Sequence, residues 1–343
     1  MTMQDFRTTR LMNGNSVLVT GGAGYIGSHA VLALLDAGER AVVIDDLSTG
    51  LQAAVPEGVP FYRASCGDTA MVAKILQDHA VDTIMHFAGS ISVAESVRDP
   101  GKYYLNNTVN THALISQAER AGVLHFIFSS TAAVYGEPRT IPIEEENATL
   151  PINPYGRSKL AIEWMLRDAA AATSLRYCAL RYFNVAGADP AGRSGQSTRE
   201  AFHLIHVAVQ AALGRRQGMD VFGNDYPTAD GSCIRDYVHV TDLAQAHVDA
   251  LTYLRSGGES LTCNVGYGRG YSVLDVIDVV KRVCRVDFDV RTRERRPGDP
   301  AILVASNAKA KSILRWRSCH DHLEQIVQHA LSWERQLKLG VPA

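Results

Sequence analysis

The chain has no pair of cysteines at metal or redox spacing. Its six cysteines (Cys66, Cys178, Cys233, Cys263, Cys284 and Cys319) are scattered and form no C-x-x-C. Neither a zinc site nor a disulfide frame is expected, and reduced thiols point to a cytoplasmic location. Long apolar runs are also missing. Nothing approaches the roughly 20 residues that cross a bilayer, so no membrane partner is expected. The formal charge is nearly balanced at −2, which gives no reason to expect a nucleic acid or an anionic surface as partner. The stretch MTMQDFRTTRLMNGNS has no hydrophobic centre, so a secretory signal is not expected; residues 1–15 are expected to form a flexible tail. Internal repeats and low-complexity tracts are lacking as well. What remains is a globular composition over 343 residues, 46% hydrophobic and 20% charged. That suffices for two domains, or one large domain with an added lobe.

Strand and helix signals alternate through the first half. Apolar, β-branched runs stand at 16–20, 41–45, 59–64, 81–89, 123–130 and 175–184. Between them the spacing predicts helices after the turn at 21–27, near 69–79, over 101–121 and from Pro154 to 172. Continuous apolar strands separated by helices read as a parallel sheet covered on both faces. Beyond about residue 185 the alternation breaks up. A polar loop, a helix over 199–213 and the polar stretch FGNDYPTADGSCIRDYVHV follow, an extended surface suited to binding. The expected division is 16–185 as a nucleotide-binding domain and 186–343 mainly as a substrate lobe. A strand and helix near 236–255 are expected to return to the first domain.

TGGAGYIG follows the first strand directly and opens a helix. Gly21 permits a sharp turn, Gly24 lets backbone approach a pyrophosphate, and Gly27 lets helix and strand pack closely. Free N–H groups and the positive end of the helix dipole then face the phosphates. Asp45 ends the next strand, where a carboxylate accepts both ribose hydroxyls of NAD and repels the extra phosphate of NADP.

A Ser129-Ser130-Thr131 run ends another predicted strand, and Tyr155 and Lys159 lie four residues apart on one face of a predicted helix. Open α/β sheets place their sites at such strand ends. A phenol titrating near 10 is a poor base at neutral pH, but a neighbouring ammonium and a positive nicotinamide ring both favour the phenolate. Bringing it to neutrality takes about 4 kcal/mol. Such a tyrosine can take the proton of a substrate alcohol while hydride leaves, with Thr131 holding the same oxygen.

Taken with FGNDYPTADGSCIRDYVHVTDLA, LRYFNVAGA, NVGYG and RRPGDPA, these motifs resemble the extended short-chain dehydrogenase/reductase family over nearly the whole chain, and within it the nucleotide-sugar 4-epimerases. The resemblance implies an α/β fold, with a Rossmann-type doubly wound parallel sheet and a smaller C-terminal α/β substrate-binding lobe. It implies tightly held NAD and a UDP-sugar substrate. The activity implied is interconversion of UDP-glucose and UDP-galactose: hydride leaves C4, the flat 4-keto sugar swings about its pyrophosphate link, and hydride returns to the other face. Related dehydratases carry an Asp-Glu pair after the strand's hydroxyl; here Thr131 is followed by Ala132 and Ala133, so elimination lacks its acid and base. Members also commonly dimerise through two helices per subunit, for which 101–121 and 154–172 are the candidates.

By position, the resemblance implies catalysis by Tyr155, Lys159 and Thr131. Cofactor contacts are implied for Gly21, Gly24, Tyr25, Ile26, Gly27, Asp45, Asp46, Ser65, Cys66, Phe87, Ala88, Gly89, Asn106, Ser129, Tyr182 and Phe183, besides Tyr155 and Lys159. Substrate contacts are implied for Thr131, Tyr155, Asn184, His203, Leu204, Val221, Phe222, Arg235, Tyr237, Arg296, Asp299 and Leu303. The two arginines would anchor a diphosphate. Departures from the pattern are specific. Ser65 replaces an acid expected beside the adenine, with Asp68 shifted along, and Ile91 stands where some members have a lysine. His203 and His206 lie three apart with no third ligand, so no metal is expected. The CHDH stretch at 319–322 is expected to be polar surface ahead of a helix. Leu303, intermediate in size where the sugar's C2 substituent would lie, leaves hexose, N-acetylhexosamine and pentose substrates open. A silent dinucleotide sensor would have lost the catalytic hydroxyls, and they are present.

Overall fold

A computed structural model describes residues 15–198 and 202–338. Apart from Asn15, the expected N-terminal tail lies outside them. Strand β1 (Ser16–Thr20) is buried throughout, as its apolar, β-branched sequence requires of a strand with both faces covered. The glycine turn leads to α1 (Tyr25–Asp36) and β2 (Arg40–Asp45), then β3 (Phe61–Arg63). Asp68 caps α2 (Thr69–Asp78) by accepting from the Met71 N–H at 3.1 Å. After β4 (Val81–His86) come α3 (Val93–Arg98) and α4 (Pro100–Tyr103). The helix widens into a π-helical segment, Tyr104–Val109, before resuming as α5 (Asn110–Ala121). Strand β5 (His125–Thr131) carries the hydroxyl run. Helix α6 (Pro154–Ala172) starts with proline in its first turn and the Asn153 side chain accepting from the Gly156 N–H. Strand β6 is Arg176–Tyr182.

The remaining elements are β7 (Asn184–Ala186), α7 (Leu204–Ala212), β8 (Met219–Phe222), β9 (Ile234–His239), α8 (Val240–Arg255), β10 (Leu261–Val265), β11 (Gly270–Ser272), α9 (Val273–Cys284), β12 (Val290–Arg293), β13 (Ile302–Leu303) and α10 (Leu323–Lys338). The main sheet has seven parallel strands in the order β10-β6-β5-β4-β1-β2-β3. Its strand order reverses between β1 and β4, so a crevice opens there at the strands' carboxyl ends. One face packs Val17, Val19, Val43 and Met85 against Val31 and Leu34 of α1 and Leu243, Ala250 and Leu254 of α8. The other face packs Leu18, Ile84, Phe126 and Phe128 against Ile75 of α2, Leu114 of α5, and Ile162 and Leu166 of α6. The doubly wound fold expected from the alternation is therefore present.

A second core unites α7, α9 and α10 with β8 and β9 through Ile205, Val209, Val221, Tyr237, Ile277 and Val327. Here β9 is flanked by antiparallel β11 and parallel β13, with β7 also paired to it, while β8 and β12 form a parallel pair. Three expectations need correction. The strand near 236 does not return to the main sheet. It pairs instead with β7, β11 and β13, and its Asp236 carboxylate accepts from the Tyr267 and Gly268 N–H groups at 2.9 Å. Helix α8 does cover the main sheet, and β10 is that sheet's edge strand. The strand expected over 175–184 ends at Tyr182, and Asn184 begins a strand paired with β9. The helix expected over 199–213 spans Leu204–Ala212, with 199–201 outside the described residues.

Leu34 is fully buried between α1, α8 and the sheet. Leu34→Ala is expected to cost about 2–5 kcal/mol, read as a lowered midpoint of chemical denaturation.

Candidate active site

The glycine turn shows why side chains are excluded there. Gly21 has φ +69°, and a Cβ on it would lie 2.6 Å from the Ala88 nitrogen. On Gly27 a Cβ would lie 2.1 Å from the Gly21 carbonyl oxygen. Helix α1 begins at Tyr25 with no side-chain cap, so its N-terminal dipole faces the crevice. Asp45 fixes this turn: its carboxylate accepts from the Ala23 N–H at 3.0 Å and the Leu47 N–H at 2.8 Å. Burial pushes its pKa up, against those two bonds. Asp46 is exposed, its carboxylate accepting from the Ser48 N–H. Tyr25 reaches away from the turn and donates to the Gly187 carbonyl at 2.7 Å, while Ile26 packs on the sheet's core.

The loop after β3 departs from the family pattern in a legible way. The Ser65 hydroxyl accepts from the Gly67 N–H, and Asp68, the shifted acid, serves as the α2 cap. Cys66 is buried, and burial, followed by the charge of Asp46, pushes its thiol up to about 12. Phe87 and Ala88 continue β4 toward β1, with the Phe87 N–H donating to the Thr20 carbonyl. Gly89, at φ +154°, leads into a loop held by Asn107. The Asn107 side chain accepts from the Ser90 N–H at 2.7 Å and donates to the Ser90 carbonyl and the Ser158 hydroxyl at 3.0 Å. Asn106, the expected asparagine, donates to the Ser90 hydroxyl at 3.0 Å. Sequence reading missed Asn107. Its signal was the double asparagine, and the π segment, a feature frequent at functional sites, is what lets both reach one loop. Ile91 is exposed.

At the end of β5, Lys159 donates to the Ser129 carbonyl at 2.9 Å and sits 4.9 Å over the Phe128 ring. Burial lowers its pKa to about 8, opposed by the Cys66 thiol. Tyr155 stands beside Thr131, whose hydroxyl favours the phenolate, but burial is the larger effect and raises the phenol's pKa. The expected depression by Lys159 is therefore absent from the protein alone: the ammonium is directed at the Ser129 carbonyl, and desolvation of Tyr155 dominates. Tyr103 packs edge-on to Tyr155 at 6.4 Å between ring centroids. Tyr182 hydrogen-bonds Ser129 through their hydroxyls, and burial raises its pKa. Phe183 packs with Ala132, Leu160 and Leu303.

From this point a cavity of about 790 Å³ runs between the sheet and the lobe. Thr131, Tyr155, Tyr182, Phe183 and Asn184 line one end; His203, Leu204, Val221, Phe222, Arg235, Tyr237, Arg296, Asp299 and Leu303 complete it. All the expected substrate-side residues thus share one space. Arg235 is buried and donates to the Ile234 carbonyl at 2.9 Å, with Asp299 at 3.8 Å. Arg296 lies 3.6 Å over the Phe222 ring, a placement that keeps its guanidinium in the cavity wall. Leu303 is buried beside Arg235 across the β13–β9 pair. The lining also holds Arg216, in the turn before β8, Asp220 on β8 and Arg291 on β12, which sequence reading missed because no motif marks them.

His203 pairs with Gln196 at 3.1 Å, and burial, followed by His206, lowers its pKa to about 4. His206 faces the Glu334 carboxylate at 3.0 Å. Among the described residues, no group of three or more His, Cys, Asp or Glu is placed to hold a metal ion, no helix is long and apolar enough to cross a membrane, and all six cysteines are free. The CHDH stretch is not simply surface. The Cys319 and His320 N–H groups donate to the Asp242 carboxylate, and the His320 ring packs 4.5 Å from His239, because Asp242 at the start of α8 gathers this turn.

Residues 17–266 match the model of the NAD dependent epimerase/dehydratase family. A UDP-glucose 4-epimerase of Azospirillum brasilense is 56% identical over 325 residues, covering 95% of this chain and 93% of that protein. The crystal structure of a Brucella ovis UDP-glucose 4-epimerase in complex with NAD is 44% identical, with a TM-score of 0.90 over 93% of this chain and 98% of that one. A Stenotrophomonas maltophila UDP-glucose-4-epimerase with bound NAD and formylated UDP-arabinopyranose is 37% identical, with a TM-score of 0.91 over 96% of this chain and all of that one. With the glycine turn, the tyrosine–lysine helix and the cavity now located on one sheet end, and with relatives matched nearly end to end, the chain belongs to the NAD dependent epimerase/dehydratase family.

Proposed function

We propose that this protein is an isomerase that uses NAD to interconvert UDP-glucose and UDP-galactose by inversion at C4. The carrying observation is one cavity with a proton-handling end, Thr131 and Tyr155, and an anion-binding end, Arg235 and Arg296. Family membership and the naming of the relatives support the same reading. Residues around the glycine turn fit a dinucleotide: a cradle that a Cβ would fill at Gly21 and Gly27, an uncapped helix start, and a carboxylate at Asp45. NAD held there would supply an acceptor for the C4 hydride, and its positive ring would favour the Tyr155 phenolate, whose pKa burial raises in the protein alone.

Tyr155 takes the proton of the sugar 4-hydroxyl and returns it after inversion. Thr131 holds that oxygen, and Lys159, one turn along α6 and bonded to the Ser129 carbonyl, keeps a positive charge at this end of the sheet. Asn184, Arg235, Arg296 and Asp299 grip the UDP moiety, leaving the sugar free to turn. Binding energy from the non-reacting nucleotide is thereby applied at the reacting carbon. We read 16–185, completed by α8 and β10, as the cofactor unit, and the rest of 186–343 as the UDP-sugar lobe. The free thiols fit a reducing cytoplasm. Val97, Leu105, Val109 and Trp164 are about half exposed on α3, the π segment and α6, an apolar face suited to pairing two subunits.

Purified protein given UDP-galactose without added NAD is expected to form UDP-glucose, and Tyr155→Phe to lower kcat by about 10²–10⁴-fold. No UDP-glucose with or without NAD overturns the reading. In sedimentation experiments the wild type is expected to be a dimer and Leu105→Lys/Trp164→Glu a folded monomer; a wild-type monomer overturns the pairing.

A further inference from the structure

Helix α6 carries a third polar residue one turn beyond the pair already described: Tyr155, Lys159 and Glu163 are spaced four apart. Glu163 is buried, and its carboxylate accepts three bonds: from the Ser130 hydroxyl at 2.5 Å, and from Arg181 Nε at 2.9 Å and Nη2 at 2.6 Å. Ser130 and Arg181 are direct neighbours across the β5–β6 ladder, and Arg181 is in turn the neighbour of Asn264 on β10. A buried polar row thus crosses three strands of the sheet. Tyr135 ties it to the turn after Thr131. Its hydroxyl accepts from Arg181 Nη1 at 2.9 Å and donates to the Asn264 side-chain oxygen at 2.7 Å.

The next row of the same ladder pairs Thr131 with Tyr182. One residue along the strands therefore separates the Glu163 clamp from the reacting hydroxyls. A buried ion pair is a poor source of net stability, since apolar residues of the same volume do as well or better; what it provides is a single geometry. Three charge-assisted bonds from one helix to two adjacent strands oppose both rotation and sliding of that helix.

We propose that Glu163, through Ser130 and Arg181, is the positioning residue that sets the α6 bearing Tyr155 and Lys159 against the β5 bearing Thr131. This rests on the epimerase reading above. Ser130→Ala is the informative variant because it removes one tie to the catalytic strand while the Glu163–Arg181 pair stays whole. With UDP-galactose, it is expected to lower kcat about tenfold with KM within about twofold, and to raise the isotope effect on kcat with substrate deuterated at C4. Ser130→Thr, which keeps the hydroxyl, is expected to restore kcat to within about twofold. Wild type and Tyr155→Phe run alongside. A folded Ser130→Ala with wild-type kcat and isotope effect, whether or not its denaturation midpoint moves, overturns the clamp while an active wild type and a silent Tyr155→Phe leave the epimerase reading standing. A threonine variant as slow as the alanine one overturns the hydroxyl's role. An inactive wild type overturns the function, and the clamp with it.

Discussion

A buried ammonium sets the terms for this protein. Removing a cation from water costs several kcal/mol unless the surroundings compensate, and Lys159 is almost fully buried. Its compensation is the backbone carbonyl of Ser129, in the strand that ends in the hydroxyl run, and the face of Phe128 one residue earlier. Strand and helix must therefore meet at one distance and one angle. The asparagine cap and proline that start α6, and the apolar strands that bury its inner side, all serve to hold that meeting.

The cavity beyond it divides its tasks by chemistry. Near the sheet the walls offer hydroxyls whose protons can move; near the lobe they offer guanidinium groups and aromatic faces that hold charge and rings in place. The lining also includes the small or apolar side chains of Ala132, Ala133 and Leu303, which offer a sugar no charged or hydrogen-bonding group. Firm grip at one end and loose contact elsewhere is the arrangement that a turning intermediate needs.

Much of the main sheet was legible in sequence because parallel strands buried on both faces are apolar runs, and runs such as 16–20 and 81–89 stand out without any partner being known. The glycine turn was legible for the opposite reason, a lack of side chains where backbone must come close. Legibility failed where pairing is non-local. Nothing in IRDYVH says whether that strand joins the first sheet or a second. Its ladder partners β7, β11 and β13, and the N–H groups of Tyr267, Gly268 and Ala305 around Asp236, are remote in sequence, Tyr267 lying 31 residues away. Site residues carried by strand ends and helix starts could be placed by motif. Asn107 and Glu163 could not, since their importance lies in what they touch: a loop after β4 and a row across three strands. The burial that raises the Tyr155 pKa in the protein alone was not legible, because spacing on a helix says nothing of desolvation.

The order of the elements has a consequence for modularity. The edge strand β10 and the covering helix α8 of the main sheet come from residues that follow the start of the lobe. Cut near residue 185, the nucleotide-binding half would expose the unpaired edge of β6 and the apolar face of Val17, Val19 and Val43. Such a fragment would present a sticky template rather than a domain. The two halves therefore cannot be shuffled as cassettes. Any new substrate preference must arise by substitution within the cavity, or by insertion in its loops, on a chain that is inherited whole.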